Sequence, residues 1–413
     1  MLRDFCRVVA DDDGFVGLHF VDGKPEVVFP RGFRLAEEDK AVRQDIIRLL
    51  AAIQCFGDHR EGDRSTTGEK ETCLDFPIRS YQYVIYDFLR NGYYAEREAK
   101  YIESQRGKIN WKRTIQKEQP RLDGDNVVYL RFVVRTNRIN SDNLLTRIHE
   151  YCVYESFLKM GWLYVAGDVL PMKPRIPLNR DLFLSTLAKE SEQTFNDGKR
   201  RLFNCMMNII REAAEESDDD SAAAFGVHRF EYVWEAMIDY VFGEGNREQY
   251  YPKAHWHIIA DRGGLRRESS GLRPDTIMRL DGKIYILDAK YYKYGVTGLP
   301  AHLPNTDSIQ KQITYGDYIA ERGYAPRNDI YNAFLMPYCK RPDDALPFKF
   351  VSVGIADWRS YDPGTENYNY ILGILIDTKY LVTTYSRHNS IEIERLSAFI
   401  EDALARYRQT LTS

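Results

Sequence analysis

Apolar and polar residues alternate through "GFVGLHFVDGKPEVVFP" near the start of the chain, with Asp22-Gly23 between the two runs. That pattern predicts a β-hairpin turning at Asp22-Gly23. Val42, Ile46, Leu49, Leu50 and Ile53 then fall on one stripe at helical spacing. "DHREGDRSTTGEKET" reads as a polar loop. A second amphipathic helix, around "SYQYVIYDFLRNG", stops at Gly92. "NVVYLRFVVRT" reads as a strand and "LLTRIHEYCVYESFLKMGWLY" as a helix. Two more helical stretches follow, "DLFLSTLAKESEQTF" and "KRRLFNCMMNIIREAAEE". "EESDDDSAAAFG" interrupts the periodicity with acidic and small residues and reads as a linker, although an acidic loop within one domain has the same composition.

The second half opens with a helix, "HRFEYVWEAMIDYVFG", then "KAHWHIIA", then a basic loop, "DRGGLRRESSG". Next come the apolar runs "DTIMRL" and "KIYILDAKYY", joined by Asp281-Gly282, which predicts another hairpin. A helix "SIQKQITYGDYIAERG" is followed by strands "DIYNAFLMPY", "FKFVSVGIAD" and "YNYILGILID", and by a final helix from about Ile391. This order predicts a mixed sheet flanked by helices. The expected fold class is therefore α/β. An N-terminal α+β domain is expected over 1–175, a helical connector with the acidic linker over 176–220, and the mixed-sheet domain over 221–413.

The charges inside the second hairpin need a reason, because an unpaired buried charge is costly. Asp288 and Lys290 are two apart on a strand, so both side chains leave one face. Asp275 lies thirteen positions before Asp288, a separation that lets the hairpin set the two carboxylates side by side. Such a pair repels unless a cation lies between them or one is protonated. Hard divalent cations such as Mg2+ take oxygen ligands in this way. Lys290 adds a compact ammonium for a water or a phosphate oxygen. Together these groups suit metal-assisted phosphodiester hydrolysis. The plainer alternative is an ion pair between Lys290 and either aspartate.

Composition narrows the class. The 413 residues are 44% hydrophobic and 29% charged, as in ordinary globular proteins. A net charge of -4 confines any nucleic-acid surface to a local patch. No apolar run approaches the ~18–20 residues that cross a bilayer, and "MLRDFCRVVADDDGF" lacks the apolar core of a signal peptide. The six cysteines are scattered without a CxxC pair, which suits a reducing cytoplasm.

"RPD…ILDAK" resembles the PD-(D/E)xK nuclease signature. That resemblance implies a restriction-endonuclease-like mixed sheet, with Asp275, Asp288 and Lys290 as catalytic residues. It also implies a glutamate on the first core helix. "FEYVWE" offers Glu231 first and Glu235 second, four apart on one helix face. The implied Mg2+ ligands are Asp275, Asp288 and Glu231. Related enzymes carry a glutamine on the following helix, where Gln312 comes first and Gln310 second, with Tyr315 one turn on.

Beyond the signature, "GKINWKRTI", "FEYVWE", "RPDTIM", "ILDAKYY" and "KQITYGDYI" resemble LlaJI-type restriction endonucleases, which look like McrC subunits. The resemblance implies Mg2+-dependent cleavage of double-stranded DNA in a bacterial restriction system. It further implies an oligomeric assembly and a separate AAA+ GTPase partner of the McrB kind. The chain has no GxxxxGK[ST] loop of its own.

"SQRGKINWKRTIQK" carries Arg106, Lys108, Lys112, Arg113 and Lys117 around Trp111. It suits phosphate contact with a stacking or wedging tryptophan, an acidic partner, or a solvated loop with Trp111 anchored in the core. Arg262, Arg266, Arg267 and Arg273 precede Asp275 and suit phosphate contact beside the site. His255 and His257 alternate without an evident third ligand, and His149 belongs to no HExxH motif. The leading expectation is a Mg2+-dependent endonuclease. The alternatives are a non-catalytic subunit that stimulates a partner GTPase, against which the intact charged set counts, and a structure-specific repair nuclease.

Overall fold

The structure is a computed structural model. It describes residues 1–9, 14–21, 23–62, 72–73, 76–124, 126–140, 143–167, 170–218, 224–258, 265–268, 271–339, 349–357, 365–385 and 390–412. Of these, 59–62, 72–73, 96–99, 137–140, 215–218, 257–258, 265–268 and 411–412 are described by backbone alone.

The chain forms two compact units, one of Met1–Asp75 with Ala223–Ser413 and one of Phe76–Ala222. Residues 1–75 thus belong with the C-terminal half, unlike the expected division at 175 and 221. The reason is a strand inside the segment read as linker. Ala224–Val227 pairs antiparallel with Val16–Val21 on one side and with Thr72–Cys73 on the other. Lys24–Phe29 and Cys6–Val8 complete that five-stranded sheet. Gly17 faces Gly226 across the pair. A Cβ at Gly226 would collide with the Val16 carbonyl oxygen and the Phe15 ring. Gly17 also holds a φ of +145°, where L side chains are strained.

The other five-stranded sheet runs in the order Thr276–Leu280, Lys283–Ala289, Ile330–Tyr338, Ile371–Asp377, Phe350–Ala356. Its two outer pairings are antiparallel and its two inner ones parallel. This is the mixed α/β arrangement expected. Every residue of Ile330–Tyr338 is buried, as a central strand with both faces covered requires. Helices Phe230–Phe242, Thr306–Glu321 and Ser390–Thr412 pack on the sheet. Ile277, Ile284, Ile286, Ile319, Ile330 and Tyr368 form the core under the hairpin. The hairpin turns at Asp281 and Gly282, with φ of 50° and 82°, as a two-residue turn between twisted strands demands.

In the second unit, helices Ile78–Asn91, Leu144–Tyr164 and Asp197–Asp218 pack together, and Arg180–Gln193 lies against the last of these. A small sheet is built from Glu96–Glu103, Val133–Asn140 and Lys108–Ile109. The expected strand "NVVYLRFVVRT" is two strands: Asn126–Val128 pairs with Arg121–Asp123, and Val133–Asn140 with Glu96–Glu103. Val133 and Val134 are buried, whereas all of Asn126–Val128 is exposed. No helix among the described residues is long and apolar enough to cross a membrane.

Candidate active site

The hairpin register brings Thr276 opposite Leu287, so Asp275 stands beside Asp288 where the two strands leave the turn behind. The Ala289 amide donates to Asp275 Oδ2 at 3.0 Å. Lys290 Nζ donates to both Asp288 oxygens, at 3.0 and 2.8 Å. Asp288 is 7% exposed. Burial, together with the adjacent Asp288 charge, pushes the Asp275 carboxyl up to about 8. Burial alone would lower the Lys290 pKa, but the Asp288 and Asp275 charges outweigh it and hold the ammonium above its ordinary value. One cation therefore stands against two neighbouring carboxylates, and the pair keeps a proton in place of a second positive charge.

The helix Phe230–Phe242 carries the glutamates. Glu231 takes a hydrogen bond from Arg229 Nε at 2.7 Å near the helix start. Glu235 lies one turn deeper, and burial pushes its carboxyl up to about 7, with Lys290 opposing and Asp288 and Glu231 adding to the rise. The Glu235 charge also raises Asp275. Electrostatically Glu235, expected second, is the glutamate that couples to the aspartate pair. No group of three histidine, cysteine or acidic side chains among the described residues is arranged to hold a metal ion, so neither glutamate completes such a set. The Asp275–Asp288 pair by itself nevertheless suits a hard divalent cation. Both groups supply hard oxygen donors, and Mg2+ commonly takes one or two carboxylates and fills its remaining positions with water and phosphate oxygens.

Residues not singled out in the sequence brace the site. Asp239, a turn beyond Glu235, pairs with Arg247, which also donates to the Asp275 carbonyl at 3.0 Å. Thr276 Oγ1 donates to Asp239 at 3.3 Å. From the N-terminal segment, Arg31 is 3% exposed. Its amide donates to the Tyr291 hydroxyl at 2.6 Å and its Nη1 to the Tyr291 carbonyl at 3.1 Å, directly after Lys290. A buried arginine on a tyrosine far along the chain has no local sequence signal.

The expected DNA contacts fare differently. Arg273 is exposed, and its carbonyl receives the Tyr315 hydroxyl at 3.1 Å. Gln312 is 1% exposed with Oε1 unpartnered, so it lies beneath the surface and offers no face to a duplex as placed. The Arg266 and Arg267 side chains and all of Arg262 lie outside the described residues, as does the His257 side chain. In the second unit Trp111 is 54% exposed and therefore not anchored in a core. It meets Tyr129 and Phe132 edge-on, with centroids 6.5 and 5.8 Å away. The Arg113 guanidinium lies 3.7 Å over the Tyr101 ring, and Lys112 is exposed. From Lys100 to Arg135 the sequence holds nine Lys and Arg against four Asp and Glu. A family model described as LlaJI restriction endonuclease matches residues 15–357.

The chain belongs to the LlaJI restriction endonuclease family. A curated relative is the "Type II restriction enzyme BsuMI component YdjA" of Bacillus subtilis (strain 168), 26% identical over 259 residues. That match covers 60% of this chain and 55% of the relative, so the chain spans about half of the relative's length. A chain from a half-complex of a tetradecameric assembly of Thermococcus gammatolerans McrB AAA+ hexamers with bound McrC is similar at 17% identity. Its TM-score is 0.36, over 90% of this chain and 81% of that one. Within this LlaJI-family chain, the matched region includes Asp275, Asp288, Lys290 and both glutamates.

Proposed function

We propose that this protein is the nuclease of a restriction system, hydrolysing phosphodiesters of double-stranded DNA at a PD-(D/E)xK site with Mg2+. The observation that carries the reading is the pairing of half-buried Asp275 with buried Asp288, with Lys290 on Asp288, in a chain of a restriction endonuclease family. Asp275 and Asp288 would hold the cation, with Glu235 rather than Glu231 as the nearby third acidic group. Bound there, the cation supplies Lewis acidity toward a phosphoryl oxygen and acidifies a water. Lys290 holds Asp288 in place and offers its remaining proton to a phosphate oxygen. Arg247 and the Ala289 amide fix Asp275 from both sides. The exposed basic and aromatic residues Trp111, Lys112, Arg113 and Arg273 serve DNA or partner contact.

An AAA+ GTPase partner of the McrB kind belongs to this reading through the sequence resemblance to McrC subunits. Incubation of the full chain with plasmid DNA in Mg2+ or EDTA, with and without an added AAA+ GTPase of the McrB kind, tests both parts. Linearised or nicked product in Mg2+ alone supports an autonomous nuclease, and product only with the GTPase supports a dependent one. Intact plasmid under every condition removes the nuclease reading.

A further inference from the structure

Beside the aspartate pair lies a cavity of about 460 Å³ whose walls include Glu235, Lys290, Lys293 and His302. His302 belongs to none of the motifs that mark the site. It sits in the Pro300–His302 turn, held by its own amide, which donates to the Leu299 carbonyl at 2.9 Å. Its Nδ1 lies 2.8 Å from Thr297 Oγ1.

Thr297 Oγ1 lies 2.8 Å from His302 Nδ1 and 3.1 Å from the Lys293 carbonyl oxygen, so Nδ1 is the ring nitrogen engaged by the protein. Among the described residues Nε2 has no hydrogen-bond partner. The Leu299 amide donates to the same Oγ1 at 3.3 Å and keeps the hydroxyl aimed. The cavity wall thus carries a ring anchored through Nδ1, with Nε2 left for a ligand.

We propose that His302 binds a phosphate of the DNA strand entering this cavity, donating Nε2–H to a non-bridging oxygen, and that Thr297 is the positioning residue that fixes the ring for it. Phosphate oxygens are the commonest acceptors a DNA strand offers to side-chain donors. The inference rests on the nuclease reading of the neighbouring aspartates and adds a substrate-contacting residue to it.

The test uses the full chain. Binding of a fluorescent duplex is measured by anisotropy in EDTA, and cleavage in Mg2+ with whatever GTPase the plasmid assay requires. His302→Ala should weaken duplex binding about tenfold, as loss of a hydrogen bond to a charged oxygen does. His302→Gln, whose amide N–H reaches the Nε2 position, should stay within about threefold of the native protein, since it keeps the donor. Thr297→Val, which keeps the volume and removes the hydroxyl, should fall between the two. Native-like binding by His302→Ala overturns the proposal. So does a His302→Gln protein as weak as His302→Ala, because the ring would then matter only for packing. Asp288→Asn separates this from the underlying reading. Cleavage at the native rate in that variant removes the nuclease site, while the binding series still judges His302.

Discussion

At the scale of single residues, the site depends on a charge imbalance that only its own members correct. Lys290 spans both Asp288 oxygens, and Asp275 is left beside them with its pKa pushed up to about 8. Asp288→Asn removes the charge that Lys290 pairs with and keeps a polar group for it. Cleavage should be abolished, while the thermal midpoint stays within a few degrees, because the Asp275 carboxyl can give up its proton and balance Lys290 in place of Asp288. Lys290→Arg should be as inactive as Lys290→Ala, because a planar fork does not reproduce a compact ammonium against both a carboxylate and a phosphate oxygen. Substantial cleavage by the arginine variant would reduce Lys290 to an ordinary ion-pair partner. The triplet was legible in the sequence because charges on an apolar strand are rare enough to demand a cause. The choice between Glu231 and Glu235 was not, since both share a helix face. Only the packing shows that the first is engaged by Arg229 and the second lies deeper.

At the scale of elements, most helices and strands followed from periodicity, and the exceptions have physical reasons. Ala224–Val227 has too few residues to display a period, and its strand character comes from neighbours remote in sequence. Its seat against Val16–Val21 depends on two facing glycines. Gly226→Ala should cost about 1–3 kcal/mol, the usual range for overpacking, seen as a lower urea midpoint. An unchanged midpoint would mean that the strand is not seated as described.

The helix Leu144–Tyr164 carries a second device. His149 is fully buried, its Nδ1 accepts from the Tyr94 amide at 2.9 Å, and burial depresses its pKa to about 4. In the unfolded chain a histidine takes up its proton near pH ~6.5. Between those two values the unfolded state binds the extra proton. The neutral histidine's contribution is therefore complete above pH ~6.5 and lost as the pH falls toward 4, on the order of 3 kcal/mol in all. Denaturant melts of the protein from pH 7.5 to 4.5 should show this loss in the second unit, and His149→Gln should flatten it. An equal slope in the variant would assign the acid sensitivity to other groups.

At the scale of the whole molecule, the compact unit that carries the site includes the first 75 residues. Helix Asp39–Gly62 packs on Phe230–Phe242 and Thr378–Thr384, and the buried Arg31 holds the segment after the strand Lys283–Ala289. A fragment beginning at Ser221 would lose these contacts and expose the apolar edge they cover. It should therefore be unfolded or aggregated alone, in contrast to a chain that keeps both parts of the unit. The sequence pointed to a break near residues 215–226 but not to the return of the chain into an earlier sheet. Acidic, small-residue composition marks an excursion away from a core, and it carries no information about which core the chain rejoins.

The strand Thr72–Cys73 and the strand Ala224–Val227 are partners, with Cys73 opposite Gly226 and Thr72 opposite Val227. The points where the chain departs for the second unit and comes back from it are thus a strand spacing apart, about 5 Å. An excursion with its two ends together behaves as a cassette. Replacing residues 76–222 by a short Gly-Ser bridge should leave a soluble protein that melts cooperatively, because closing so narrow a gap demands little chain and little loop entropy. The same doorway would accept a foreign insert of any length whose own ends meet. Over evolutionary time the inserted unit could then be exchanged without disturbing Asp275, Asp288 and Lys290.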